Sequence, residues 1–484
     1  MATMPIPWPT TALPGRLPGE SQGTLVNAYA VKIGQQINIR RVAGLRRYLT
    51  STATALKRPR GQLEVEGRLI HVWDGEAFIL NADGSNHLLF GSMPGDYPVT
   101  IARNMRQTGA EVIIVGEEGA REVRLVDDTI SAHPSAGLEN VNSVEYFSGY
   151  FIFTEEGGLV IASELQSKIT NTATSNQLSS YAADKLWRTK SIGNSLAVMG
   201  SQSIEFWVDV GASPFPLQRQ QSIDVGLLSR WAVAGGSNVW ENGLLWVAGD
   251  YTVRQLNGYQ AQVISTDDVS SDIRAISASY EDLVAQVYVF NAQPIFSLSS
   301  RQWTWEYNLA SGSWHKRESY AMPFWRAVFA VNYDNRWIAQ DVAVKGTNAL
   351  MEITPDAYDE DGERLRWMIE SAPLKEFPAN IRIPSIDIDM TVGLGQMGTP
   401  APFQTDPVVM VSWSHNGGAH WSNPLARSMG SEGRYATKVS VRNIGRSTHQ
   451  GVMFRLEVTD PVWIQLTSAI SMRTQPSRPR GVNQ

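Results

Sequence analysis

Between Glu20 and Glu64 the chain has no acidic residue, while Arg40, Arg41, Arg46, Arg47, Lys57, Arg58 and Arg60 crowd positive charge into a short span. Clustered guanidinium and ammonium groups are the chemistry that holds a phosphate backbone. These residues are therefore candidates for contact with DNA in a lumen or with a protein partner. The alternative is that they meet acidic patches on a neighbouring subunit or stand in solvent.

Other spacings lead to no catalytic chemistry. Gly393, Gly395 and Gly398 spell a dinucleotide fingerprint, but Pro400 and Pro402 follow where a helix N-terminus would have to receive pyrophosphate. A mobile loop is expected there. Asp359, Asp361 and Gly362 suggest a calcium loop, yet Ala357 and Met368 stand where its frame requires acids. The seven histidines show no metal-binding pairing, and neither a nucleophile elbow nor a P-loop is present. No cofactor, metal or catalytic residue is assigned.

Zero cysteines remove disulfides, thiolate metal sites and cysteine nucleophiles. A formal charge of −6 argues against a dedicated nucleic-acid binder, but suits a wall that a polyanion must slide past. The first residues lack the basic and apolar regions of a signal peptide, and no run approaches a membrane span of about 18 apolar residues. Neither export through a signal peptide nor a membrane span is expected.

The elements that must position these residues read as β. With 40 Gly, 24 Pro and 16 Trp, short strands and turns are favoured over long helices. The opening, with Pro5, Pro7, Pro9 and Pro14, predicts an extended arm over residues 1–60. From Gly61 a unit of apolar strand, turn and second strand recurs seven times. Its strands are Leu69–Trp73, Val112–Val115, Tyr150–Phe153, Leu196–Met199, Leu244–Ala248, Val287–Phe290 and Trp337–Ala339, the last turning near Gln340.

Successive turns lie roughly 40 to 50 residues apart, the length of a four-stranded propeller blade. The chain is thus expected to be all-β, with a β-propeller-like repeat of six or seven blades over residues 61–365. An acidic run from Asp356 to Glu363 marks a boundary, and Arg364 to Ser371 reads as a short helix. A C-terminal β-sandwich or barrel over 366–474 and a flexible tail over 475–484 complete the expectation.

Ser414-His-Asn-Gly-Gly-Ala-His-Trp421 resembles the Asp-box hairpin of sialidases, with Asn416 and His420 departing from its pattern. In those enzymes the turn is structural, and Trp413 and Trp421 are expected to pack on the sheet. Arg455 and Asp460 are candidates for a structural ion pair. A propeller hydrolase or carbohydrate binder is the alternative reading; it would need Arg, Glu and Tyr converging on the axis.

The succession Val411 to Trp421, Gly433-Arg-Tyr435, Arg442-Asn-Ile-Gly445 and Phe454-Arg-Leu-Glu-Val-Thr-Asp-Pro-Val462 resembles the end of podovirus packaged-DNA stabilisation proteins, also called tail hub or nozzle proteins. Val26-Asn-Ala-Tyr29 and Val42-Ala-Gly-Leu45 are similar to that family's opening, with Ala43 replacing its usual proline. The resemblance implies a non-enzymatic virion subunit of a short-tailed phage, made in the host cytoplasm. It implies a ring, six copies, below the portal and its adaptor, which retains packaged DNA and lines its exit. Fibre, spike or needle proteins are further partners implied.

Overall fold

The computed structural model describes residues 2–17, 19–34, 36–50, 58–179, 181, 184–236, 240–276, 279–342, 349–395, 405–467 and 471–476. Its middle strands are continuous apolar runs because both faces of each are covered. In Val112–Gly116, Val112 and Ile114 enter one core while Ile113 and Val115 enter the next. Phe151 and Phe153 part from Ile152 in the same way, and Leu244 and Trp246 from Leu245 and Val247. Successive strand side chains point to opposite faces, so every sheet serves two cores.

Among the described residues six four-stranded meanders follow one another, and a seventh blade takes its fourth strand from the N-terminal segment. Five are separate sheets, at residues 59–88, 100–132, 141–178, 186–223 and 233–263, and a sixth occupies 284–317. The seventh takes Ala327–Tyr333, Arg336–Asp341 and Ala349–Thr354, then receives Gly44–Thr50 as its fourth strand. Leu69, Trp73, Phe78 and Leu80 of blade one pack with Tyr333, Ile338 and Leu350 of blade seven, closing the ring. The fold is a seven-bladed β-propeller, in which each blade hides its apolar faces against two neighbours.

Polar side chains reinforce the closure. Gln340 donates through Nε2 to the Val72 carbonyl at 2.9 Å and accepts from the Gly61 N–H at 3.1 Å. Gln62 Nε2 donates to the carbonyls of Phe329 and Ile338, both at 2.6 Å. The turn expected near Gln340 is therefore strand interior, and this fully buried amide stitches two blades together.

The segment expected as an extended arm joins both domains through its strands. Thr24–Val26 lies parallel to Ser313–Arg317 of blade six and antiparallel to Trp367–Glu370. Through it blade six continues into Trp367–Glu370, Met453–Val458, Val408–Ser414 and Leu425–Ser428 as one nine-stranded sheet. A second layer of Ala2–Pro5, Ser471–Pro476, Ile381–Ile388 and Val439–Arg446 completes a β-sandwich. Val411, Phe454 and Leu456 meet Ile383, Ile386 and Val441 in a core that runs on to Val247, Phe296 and Trp305 of the propeller.

The stretch expected as a short helix, Arg364 to Ser371, instead supplies the strand Trp367–Glu370, between Thr24–Val26 and Met453–Val458. Trp367, Met368 and Ile369 are all buried, which a solvent-facing turn of helix would not allow. One α-helix is described, Asp267–Ala275, where Thr266 caps the N-terminus by accepting from the Val269 N–H. No helix among the described residues is long and apolar enough to cross a membrane.

Candidate interaction site

The basic stretch does not form one surface. Arg41 is buried, and its guanidinium donates to the carbonyls of Asp460 (2.7 Å), Val458 and Val462 (both 3.0 Å), Leu365 (3.1 Å) and Tyr358 (3.4 Å). Burial pulls its pKa down to about 9. Arg60, also buried, donates to the carbonyls of Tyr97 (2.6 Å), Pro94 (3.2 Å), Asp74 and Met93, and so fixes the crossing from blade one to blade two. A guanidinium suits both places because five donors on a rigid plane can satisfy several carbonyls at once.

The remaining cations lie nearer the surface. Arg40 donates to Gln465 Oε1 at 2.8 Å and lies 5.4 Å from the centre of the Trp463 ring. Arg47 pairs with Asp361, its Nε at 3.0 Å from Oδ2, and exposed Arg58 pairs with Asp74 and Asp96. Arg46 is exposed on a cleft of about 380 Å³ shared with Asp356, Tyr358 and Asp359. Lys57 lies outside the described residues.

The acidic run acts in the same place. Asp359–Glu360 and Glu363–Arg364 form a hairpin that turns through Asp361 and Gly362, both at positive φ. It docks parallel to Gly44–Thr50, with the Asp361 N–H donating to the Leu45 carbonyl at 2.8 Å. The carboxylate of Asp361 is matched by Arg47. No group of three or more His, Cys, Asp or Glu among the described residues is placed to hold a metal.

A second ionic cluster, which sequence reading missed, is sealed between blades six and seven. Arg317 and Glu360 are both 0% exposed and pair at 3.3 Å, with Arg317 also donating to the Ala43 carbonyl at 2.6 Å. Trp325 completes it, its ring 4.5 Å from the Arg317 guanidinium and its Nε1 donating to Glu360 at 3.1 Å. Burial raises the pKa of Glu360.

Beside it Glu306 accepts from Tyr288 and bonds to His315, each at 2.9 Å. Burial pushes Glu306 up, but the His315 bond and the Arg317 charge hold it below the usual carboxylate range. These groups resemble a catalytic set, but no solvent path reaches side chains that are 0 to 1% exposed.

The Asp-box-like turn is present, within the sandwich. Ser414 Oγ accepts from the Gly418 N–H and Asn416 Oδ1 from the His420 N–H, each at 2.9 Å. The Gly19 N–H bonds to the Gly417 carbonyl at 3.2 Å, so the turn anchors the N-terminal segment. Arg455 stacks 4.0 Å from the centre of the Trp421 ring and pairs with Glu370 rather than Asp460. Asp460 instead accepts from the Val408 N–H at 2.8 Å.

Gly393 to Gly395 are not helical; residues 396–404 lie outside the described residues. Where blades seven, one and two meet, a depression of about 360 Å³ is lined by residues that include Leu63, Ile101, Val331 and Trp337. Its Glu64 and Arg103 lie 3.5 Å apart and face each other.

Two family models match the chain. One, described as bacteriophage P22 Gp10, beta-propeller, matches residues 31–354; the other, described as bacteriophage P22 Gp10, beta-sandwich, matches residues 366–473. No curated protein matches. Among solved structures, the computationally designed Ika8 protein is 9% identical over 64% of this chain and 100% of its own, with a TM-score of 0.40. The WD40 beta propeller domain of Doa1 is 10% identical over 64% of this chain and 97% of its own, with a TM-score of 0.42.

Proposed function

The chain belongs to the bacteriophage P22 Gp10 family, and from that premise we propose that it is a non-enzymatic tail hub or nozzle subunit. Copies of it, six in number, form a ring below the portal and its adaptor in the virion. The ring retains packaged DNA and lines its path out; fibre, spike or needle proteins dock around it.

The match over both domains carries this reading, and the fused sheet gives it a physical basis. A wall that holds pressurised polymer must be stiff, and backbone ladders resist shear better than a surface contact between separate domains. Blade six and the sandwich share such a ladder. The hydrolase reading asks for Arg, Glu and Tyr converging on one site, and Glu64 and Arg103 in the depression between blades seven, one and two pair with each other at 3.5 Å.

Negative-stain electron microscopy of the purified chain mixed with the portal–adaptor complex of its phage tests the proposal. Open rings, or new density capping the adaptor, are expected. Isolated propellers that ignore the adaptor would overturn it and turn attention to glycan binding.

A further inference from the structure

On the sandwich, residues 375–379 form a tight turn and are all exposed, with Phe377 at its centre showing 78% of its surface to solvent. The base of the turn is fixed. Leu374 and Val452 exchange backbone hydrogen bonds of 2.9 and 3.0 Å, and Glu376 bridges to Ala379. An apolar ring held out on a fixed base loses little freedom when it is bound. Lys375 and Glu376 beside it form no ion pair among the described residues.

The depression where blades seven, one and two meet has the complementary character. Half-buried Leu63, Ile101, Val331 and Trp337 wall it, and Met105, 59% exposed, joins them. An indole and a flexible thioether are good company for an inserted aromatic ring. Glu64 and Arg103, 3.5 Å apart and both partly exposed, add one charge of each sign.

We propose that Phe377 of one copy enters this depression on the next copy, with Lys375 facing Glu64 and Glu376 facing Arg103, a claim that rests on the ring proposed above. One chain carries both the knob and the socket, and each brings a charge pair that matches the other. This favours a second copy over a different protein. The knob lies on the sandwich and the socket on the propeller, so the contact is heterologous: every copy gives its turn to one neighbour and its depression to the other. Contacts of this kind build a ring when the rotation between copies closes. The buried aromatic supplies affinity, and the charges around it fix orientation.

The chain has no cysteine, so introduced ones report the contact directly. Ala379→Cys and Asn332→Cys, both at exposed positions beside knob and socket, are combined in one chain, assembled on the portal–adaptor complex and treated with a short bismaleimide. A ladder of covalent oligomers is expected on a denaturing gel. Each single variant stays monomeric, and an equal mixture of the two stops at dimers. Phe377→Asp in the double-cysteine chain raises the concentration at which the ladder forms on the order of tenfold or more, with the melting midpoint unchanged.

A capped adaptor whose copies give no ladder, or a ladder indifferent to Phe377→Asp, overturns the proposal. A photoreactive maleimide on Ala379→Cys that cross-links to the adaptor alone assigns the turn to that protein and overturns it too. Capping without a ladder rejects this contact only, whereas failure of the wild-type chain to cap rejects the tail role.

Discussion

Blades one to five are separate four-stranded sheets held to their neighbours chiefly by interdigitated side chains, whereas blade six runs on by backbone pairing into the sandwich. A packed seam is worth the apolar area it buries and yields locally when one side chain is trimmed. A ladder seam depends on register over several strands, and Thr24–Val26 is the strand on which that register hangs. The difference teaches that the N-terminal segment adds a backbone ladder to the apolar core the two domains already share.

The most damaging way to break the ladder seam is to delete residues 1–50. Blade seven then loses Gly44–Thr50, and blade six loses its bridge to the sandwich. Cooperative unfolding monitored by circular dichroism is expected to vanish, with limited proteolysis cutting freely within blade seven. Retention of a wild-type melt would show that the segment is a dispensable arm.

Arg41→Met acts on the same seam at a single point. It leaves four buried carbonyls and the part-buried one of Tyr358 without this donor, and a cost of about 3–5 kcal/mol in chemical denaturation is expected. In a packed seam, Trp246→Ala empties the core between blades four and five and costs about 3–5 kcal/mol, without altering protease sensitivity in the sandwich. Equal sensitivity of the sandwich to both variants would erase the distinction between the seams.

A pH titration sharpens the comparison within blade one. His71 is buried, its Nδ1 accepting from Trp73 Nε1 at 2.7 Å and its Nε2 facing Asn86 Oδ1 at 3.0 Å. Burial lowers its pKa to about 4 from the usual 6.5. Because the folded state disfavours the proton, its contribution is present above pH 6.5 and is lost as pH falls toward 4. The loss amounts to about 3 kcal/mol. His71→Gln is expected to flatten this part of the stability profile; an unchanged profile would place the titration elsewhere. The smallest effect is expected for Arg58→Gln, whose exposed ion pairs contribute no more than about 1 kcal/mol.

The middle strands were legible in the sequence because burial on both faces writes itself as an apolar run, as at Val112–Val115 and Tyr150–Phe153. The N-terminal strands were not. Leu45 pairs with Ile353 and Val26 with Met368, partners about three hundred residues away, and local pattern holds no trace of such pairing. Arginines that read as a surface patch proved divided in role, since carbonyls from 358 to 462 around Arg41 are gathered only by the fold.

Hydrogen exchange read by mass spectrometry most directly tests whether blade six and the sandwich form one body. If they do, amides of Thr24–Val26 and Trp367–Glu370 exchange as slowly as those of the blade cores at Val112–Gly116 and Tyr150–Glu155. Exchange of the two joining strands within seconds, while the blade cores stay protected, would contradict the account and leave two domains that move independently.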